Sequence, residues 1–349
     1  VIPSSPSVRL ARRATVAAAA AALAVAGLAG CSDTSDDDAS TIVRKTTAIA
    51  GAGVVTVERD TSGACAAPTP ADPGVPDPQR IVVLDSAALD AVCALGMWDR
   101  VVGATVSPVD GGRPSYLGAG IAALPDIGPE GAPDVDRITA AAPDLVLASA
   151  PLSADLADRV IAAVPTGTLH DGRFGWISAS GDDPSSWEYR FRVAGAALGR
   201  SGAARQALDD YTADAARTGD ELGARLTQTS VIRFGADAAT IEGPGSFAGR
   251  VLADIGVARP QTQRIETATA PVDDLAAADG DLIYVGFDGP AGLAHGTGVL
   301  ESDAWLDLGA ATDHRVFAVD DEVWNAGNGI VAARAVITDV RSSLNGYAP

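Results

Sequence analysis

Residues 184–226 read PSSWEYRFRVAGAALGRSGAARQALDDYTADAARTGDELGARL, and the fold follows from this stretch. Trp187, Phe191, Ala194 and Leu198 recur at intervals of four, three and four, as one face of a helix requires. Gly199 ends that helix, and Ser201 offers an N-cap for the next. Ala204, Leu208, Tyr211, Ala215, Leu222 and Leu226 form a second stripe. Its roughly 25 residues span about 38 Å at ~1.5 Å per residue, the width of a small domain. The same strand-and-helix pattern lies on either side of this rod.

Before the rod, Arg80–Leu84, Val101–Gly103, Asp144–Ser149 and Thr166–Leu169 are short apolar runs separated by helical faces such as Leu89, Val92, Cys93 and Leu95. After it come the strand Val231–Phe234, the Gly243-Pro244-Gly245 loop and a helix from Ser246 to Ile255. Asp281–Val285 and Arg315–Val319 follow as strands. A closing helix carries Ile330, Ala333, Ile337, Val340 and Leu344 on one stripe. Pro271-Val272-Asp273-Asp274-Leu275 repeats the pattern of Pro133-Asp134-Val135-Asp136, each ahead of a strand. Strands alternating with helices predict parallel sheets covered on both faces. The fold expected is α/β, with two parallel-sheet lobes joined by a single long helix. Residues 80–183 form the N-terminal lobe, 184–226 the linking helices and 227–349 the C-terminal lobe.

Of the 349 residues, 47% are hydrophobic and 38 are glycine, enough chain for two lobes with their own cores. The formal charge is −20, from 45 acidic and 25 basic residues. With no basic excess to release counterions, a general affinity for nucleic acid or anionic membrane is excluded. Solubility is the plain meaning of the acidity.

Arg9, Arg12 and Arg13 precede an apolar run from Ala14 to Gly27, followed by Leu28-Ala29-Gly30-Cys31. A positive start, a short apolar core and small residues before a cut site make residues 1–30 a secretory signal. The run is too short for a comfortable membrane span. Its ending resembles a bacterial lipobox, in which Cys31 receives the lipid (palmitate) and anchors the chain to the outer face of the cytoplasmic membrane. Cys65 and Cys93 are then an even pair in an oxidising compartment, either bridged or two buried thiols. Residues 31–79 read as the lipidated cysteine and a flexible tether, with an acidic run at Asp36–Asp38 and many prolines from Ala66 to Gln79. Within it, Ile49–Val57 is apolar enough to lie against the body.

RIVVLDSAALDAVCALGMWDRVVG, PDVDRITAAAPDLVLAS and AWLDLGAATDHRVFAVDDEVW stand in this order over roughly residues 78–345, behind the lipobox. Together they resemble the helical-backbone (class III) solute-binding lipoproteins of ABC transporters, whose members deliver ferric siderophores, haem and cobalamin. The paired cysteines and RPSYLG at 113–118 look like the FecB-type iron–siderophore-binding proteins of actinobacteria. The resemblance implies capture of a ferric siderophore outside the membrane and delivery to an ABC permease by a monomer. In that family an acidic residue after the first strand docks on an arginine of the permease, and Asp90 matches it. The second-lobe counterpart falls near Arg250, a reversal of sign. A solvated helix face is the other meaning of both positions.

In open parallel sheets ligands sit outside the carboxyl ends of strands. Ser86, Ser149, Arg233, Tyr284 and Phe287 are placed there, with Tyr116, Trp187 and Trp324 on the same side. Trp187, Tyr284 and Trp324 would supply flat walls, and Arg233 the cation a negatively charged chelate needs. Against this, Tyr284 alternates within a strand and can point into the core. Trp187 can merely pack the rod onto a lobe, and Ser86 and Ser149 can be helix caps.

No enzyme is expected. Gly243, Gly245 and Gly249 miss the dinucleotide fingerprint, and no nucleophile elbow, zinc-protease helix or phosphate loop occurs. His170, His295 and His314 lack metal-site spacing, so no cofactor and no directly bound metal are expected. Two alternatives remain open. One is haem on the same fold, with Tyr284 or His170 as axial ligand. The other is an envelope scaffold that meets protein partners without transporting anything.

Overall fold

The computed structural model describes residues 48–55, 59–109, 111–171, 183, 185–264, 269–272 and 274–344; the signal stretch 1–30 and Cys31 lie outside them. Two short strands, β1 (Ala48–Ile49) and β2 (Ala52–Val54), come first. The first lobe contains β3 (Ile81–Val83), α1 (Ser86–Ala94), β4 (Val101–Val106), α2 (Ala119–Ala122), β5 (Asp126–Pro129), α3 (Val135–Ala141), β6 (Leu145–Leu147), α4 (Ala154–Ala163) and β7 (Thr168–His170). Its sheet runs β5-β4-β3-β6-β7, with every pair parallel, as the apolar runs predict.

The rod is two helices, α5 (Trp187–Ala197) and α6 (Ser201–Leu222), so the single linking helix is α6 with α5 docked ahead of it. Gly199, at φ 66°, makes the break, a backbone angle that only glycine adopts without strain. Arg200 beside it is fully buried, donating to Asp77 at 2.6 Å and to the carbonyl of Thr69. The proline-rich segment ahead of the first lobe is thereby fastened to the rod.

The second lobe contains β8 (Thr229–Phe234), β9 (Ala239–Glu242), α7 (Phe247–Ile255), β10 (Thr269–Pro271), β11 (Leu282–Phe287), α8 (Gly289–Leu300), α9 (Asp303–Leu306), α10 (Gly309–Thr312), β12 (Val316–Ala318), α11 (Asp321–Trp324) and α12 (Ile330–Leu344). Its sheet runs β1-β2-β12-β11-β8-β9-β10. The centre is parallel, but β9 and β10 fold back as antiparallel strands, so this sheet is mixed rather than wholly parallel. The repeated Pro–Asp pattern also diverges. It makes helix α3 in the first lobe and only a 3-10 turn, Leu275–Ala278, in the second.

The segment expected to be flexible tether supplies β2, which pairs in parallel with β12. Without it β12 would present unpaired N–H and C=O groups, and Gly53 lets the strand lie close against the Phe317 ring. Cys65 and Cys93 are joined in a disulfide that ties the same segment to α1.

One continuous core runs through both lobes. Ile81 and Leu89 of the first lobe, Tyr211 of α6, and Trp324 and Ile337 of the second belong to one buried cluster. The outer faces of the sheets have separate cores, around Val82 and Ile138 in one lobe and Phe234 and Trp305 in the other. Among the described residues, no helix is long and apolar enough to cross a membrane.

Candidate functional site

At the carboxyl end of β3, Asp85 caps α1 by accepting the Ala88 N–H at 2.8 Å, and it accepts the Ser149 N–H at 2.6 Å. The Ser86 hydroxyl donates to Glu130 at 3.0 Å. Burial, then the neighbouring Asp85, pushes the Glu130 carboxyl up. Ser86 and Ser149 therefore stand on the predicted rim, but their polar atoms serve two carboxylates of their own lobe, which make this side acidic.

The other side is cationic. A cavity of about 310 Å³ lies where the start of α5 meets the second lobe, and Arg190, Arg233 and Arg250 all line it. Helix α5 begins with the Ser186 cap and turns Arg190 toward the loop after α11, where its Nη2 donates to Asn328 Oδ1 at 2.6 Å. The Arg190 Nε is buried with no partner among the described residues. Burial lowers the Arg190 pKa, and Asp85 acts against that shift. Arg233, on β8, grips Asp321 with both prongs, Nε to Oδ1 at 3.0 Å and Nη2 to Oδ2 at 2.7 Å, with Asp288 at 3.3 Å. The Asp321 hydrogen bonds raise the Arg233 pKa. Arg250, on α7, donates to Asp183 at 2.8 Å. Hydrogen bonds from Ser185, then the one from Arg250, hold the Asp183 carboxyl down to about 2.

Hydroxyls and amides complete the lining, from Ser185, Ser246, Thr269, Asn325 and Asn328. Among the described residues Glu242 is the one carboxylate in the lining, and burial pushes its pKa up. Trp187 also lines the cavity, 1% exposed, edge-on to Tyr211 at 5.0 Å, with no acceptor for its indole N–H among the described residues. Charge-assisted donors, neutral donors and a dry floor can grip an anion by several atoms at once.

Several predicted residues lie elsewhere. Tyr284 and Trp324 are core, not walls: their rings meet at a 43° tilt with centroids 4.4 Å apart, Tyr284 pairs with Ser343 of α12 at 2.6 Å, and Trp324 donates to Asp339 of α12 at 2.9 Å. Alternation along β11 sends Tyr284 to the face that α12 covers. Phe287 stacks on Phe234 at 5.7 Å, beneath α8. Tyr116 is buried and hydrogen-bonded to Asp90. Asp90 is itself fully buried, accepting the Val331 and Ala332 N–H groups at 2.9 and 3.1 Å. A carboxylate so enclosed cannot dock on a permease. Arg250, the other docking position, lines the cavity.

The model of the family described as "Periplasmic binding protein" matches residues 81–323. The chain belongs to the periplasmic binding protein family. It is 24% identical over 280 residues to the probable siderophore-binding lipoprotein YfiY of Bacillus subtilis (strain 168), covering 76% of this chain and 82% of that one. It is 22% identical over 274 residues to the achromobactin-binding periplasmic protein of Dickeya dadantii (strain 3937), covering 75% and 85%. The structure of Staphylococcus aureus SirA complexed with staphyloferrin B superposes with a TM-score of 0.62 at 22% identity, covering 77% of this chain and 94% of SirA.

For a periplasmic binding protein, the aromatic signal in this sequence leads mostly into the core: Tyr284 and Trp324 are buried there, and Trp187 lines the cavity at 1% exposure. Arg190 and Arg250 line the cavity with Arg233, yet both sit on helices whose outward period reads as solvated surface. Neither haem ligand candidate reaches the cavity. Tyr284 is core, and His170 lines a separate apolar hollow of about 570 Å³ between β7, α5 and Val75–Pro78. That hollow is larger, but it lies beside an edge strand of the first lobe and, among the described residues, has no arginine in its lining. Among the described residues, no group of three or more His, Cys, Asp or Glu side chains is placed to hold a metal.

Proposed function

We propose that this periplasmic binding protein captures a ferric siderophore in the cavity lined by Arg190, Arg233 and Arg250, and hands it to an ABC importer. It does so as a monomer at the outer face of the cytoplasmic membrane, held there by lipid on Cys31, and performs no covalent chemistry. The observation that carries this is the convergence of three guanidinium groups in one hollow of a chain whose formal charge is −20. A cationic island in an acidic protein selects an anionic ligand at short range, where the wider field would repel it. The names of the relatives, siderophore-binding and achromobactin-binding, support iron chelates as that ligand.

A titration followed by tryptophan fluorescence tests this, because Trp187 lines the cavity. Saturable quenching by a ferric siderophore, weak or absent with haem, is the expected result. Folded protein that responds to haem alone moves the ligand to haem. Silence with every iron chelate removes the carrier function and leaves the envelope scaffold.

A further inference from the structure

We infer that the cavity is shaped for a compact ferric chelate whose outward groups are carboxylates, of the α-hydroxycarboxylate kind, and that Asp183 holds the position of one ligand carboxylate. This rests on the siderophore-carrier function proposed above and names the chemical class of chelate.

Guanidinium is a planar fork that matches carboxylate, and two of the three arginines already hold carboxylates of this chain. The two acids differ in standing. Asp321 is fixed: its side chain is 16% exposed, both its oxygens are gripped by Arg233, and the Asn325 amide adds a bond at 2.6 Å. Asp183 is exchangeable: its side chain is 47% exposed, it meets Arg250 through one oxygen, and its other oxygen faces Ser185. Among the described residues, Arg190 donates to a neutral acceptor, Asn328, and its buried Nε has no partner. Arg190 and Arg250 are thus the two cations able to accept carboxylates from outside, while Arg233 is held in place.

The rest of the lining discriminates among chelates. A hydroxamate chelate presents neutral carbonyls, which would leave these half-buried guanidinium donors poorly matched. A catecholate chelate presents aromatic edges and faces, which want flat walls. Tyr284 and Trp324 are core instead, Trp187 is only 1% exposed, and among the described lining residues Phe247 alone offers a partly exposed ring, too little to wall three catechols. Serine, threonine and asparagine side chains suit the hydroxyl and carboxylate oxygens of a hydroxyacid. The volume of about 310 Å³ also favours a compact chelate, since ligand sites commonly span ~300–1,000 Å³.

Calorimetric titration of the full protein with ferric citrate, a ferric trihydroxamate and a ferric tris-catecholate tests the class. Ferric citrate should bind at least about tenfold more tightly than the other two, the difference one charged hydrogen bond makes. Arg190→Gln and Arg250→Gln should each weaken it by about tenfold or more, and Asp183→Asn should tighten it severalfold by releasing Arg250. Equal or tighter binding of the hydroxamate or the catecholate overturns the carboxylate class while leaving siderophore capture intact. An unchanged affinity in Asp183→Asn overturns the role given to Asp183. Failure of all three chelates to bind, in protein with a normal thermal transition, overturns the carrier function itself.

Discussion

The carboxylate of Asp90, on the first helix of one lobe, accepts the backbone N–H of Val331, in the first turn of the last helix of the other, at 2.9 Å. A second oxygen takes the next N–H, of Ala332, at 3.1 Å. The first turn of a helix has N–H groups with no partner of their own, and here a residue from the opposite lobe satisfies two of them. Gly329 belongs to the same contact, because a side-chain carbon there would collide with the Asp90 carboxyl.

Asp90→Ala should destabilise the protein by about 2–4 kcal/mol, since it leaves two buried donors unsatisfied. Asp90→Asn keeps an acceptor and removes a buried charge, so it should cost far less. Urea unfolding of the two variants checks this. A loss of similar size in both would mean that charge, not acceptor geometry, holds the contact.

Burial pushes the Asp90 carboxyl up to about 6, and the Val331, Ala332 and Tyr116 hydrogen bonds and the Arg334 charge only partly oppose it. The folded pKa lies above the unfolded value, so this group's contribution to stability is fully present below about pH 4 and is lost as pH rises through about 6. Between pH 7 and pH 4 the wild type should gain up to roughly 3 kcal/mol on Asp90→Asn. Parallel unfolding curves for the two proteins across that range would refute the assignment to Asp90.

Two cavity arginines should separate stability from binding. Arg233→Gln removes both prongs from Asp321 and leaves a carboxylate only 16% exposed without its counter-ion, so both the melting temperature and ligand affinity should fall. Arg190→Gln gives up a bond to neutral Asn328, so affinity should fall while the melting temperature changes little. Thermal melts paired with calorimetric titrations distinguish the two behaviours.

The Cys65–Cys93 bridge closes a stretch with a sequence separation of 28. On the chain-entropy model its loss costs about 3–4 kcal/mol. Cys65→Ser with Cys93→Ser should lower the urea midpoint accordingly, and reductant should do the same to the wild type but not to the double variant.

Trp324→Ala should act on folding rather than recognition. It removes a fully buried ring packed against Tyr284 and a hydrogen bond to Asp339, at a cost of about 3–5 kcal/mol. If the variant stays as stable as the wild type but loses ligand binding, the ring belongs to the site after all.

Much of this architecture is legible in the chain. Apolar runs such as Ile81–Leu84 and Leu282–Val285 announce central strands, and the stripe from Ala204 to Leu222 announces the long helix. Which side a strand residue faces is harder to read, because both faces of a central parallel strand are covered and neither is polar. Tyr284 could not be oriented for that reason. Arg233 was visible because a charge inside a strand needs an explanation, whereas Arg190 and Arg250 look like ordinary helix surface until tertiary folding brings them together. Asp90 misleads in the opposite direction. Its neighbours in sequence suggest an exposed helix position, and only the arrival of α12, some 240 residues later, buries it.

Strand β2 has a consequence for dissecting this molecule. It precedes the first lobe in the chain yet completes the sheet of the second. A gene divided at the linking helices would send that strand away with the wrong fragment. The C-terminal piece would then expose β12 as a bare edge, a template for pairing with any foreign strand, including its own copies. Expressed alone it should self-associate, and supplying residues 48–54 as a peptide should restore a monodisperse fragment.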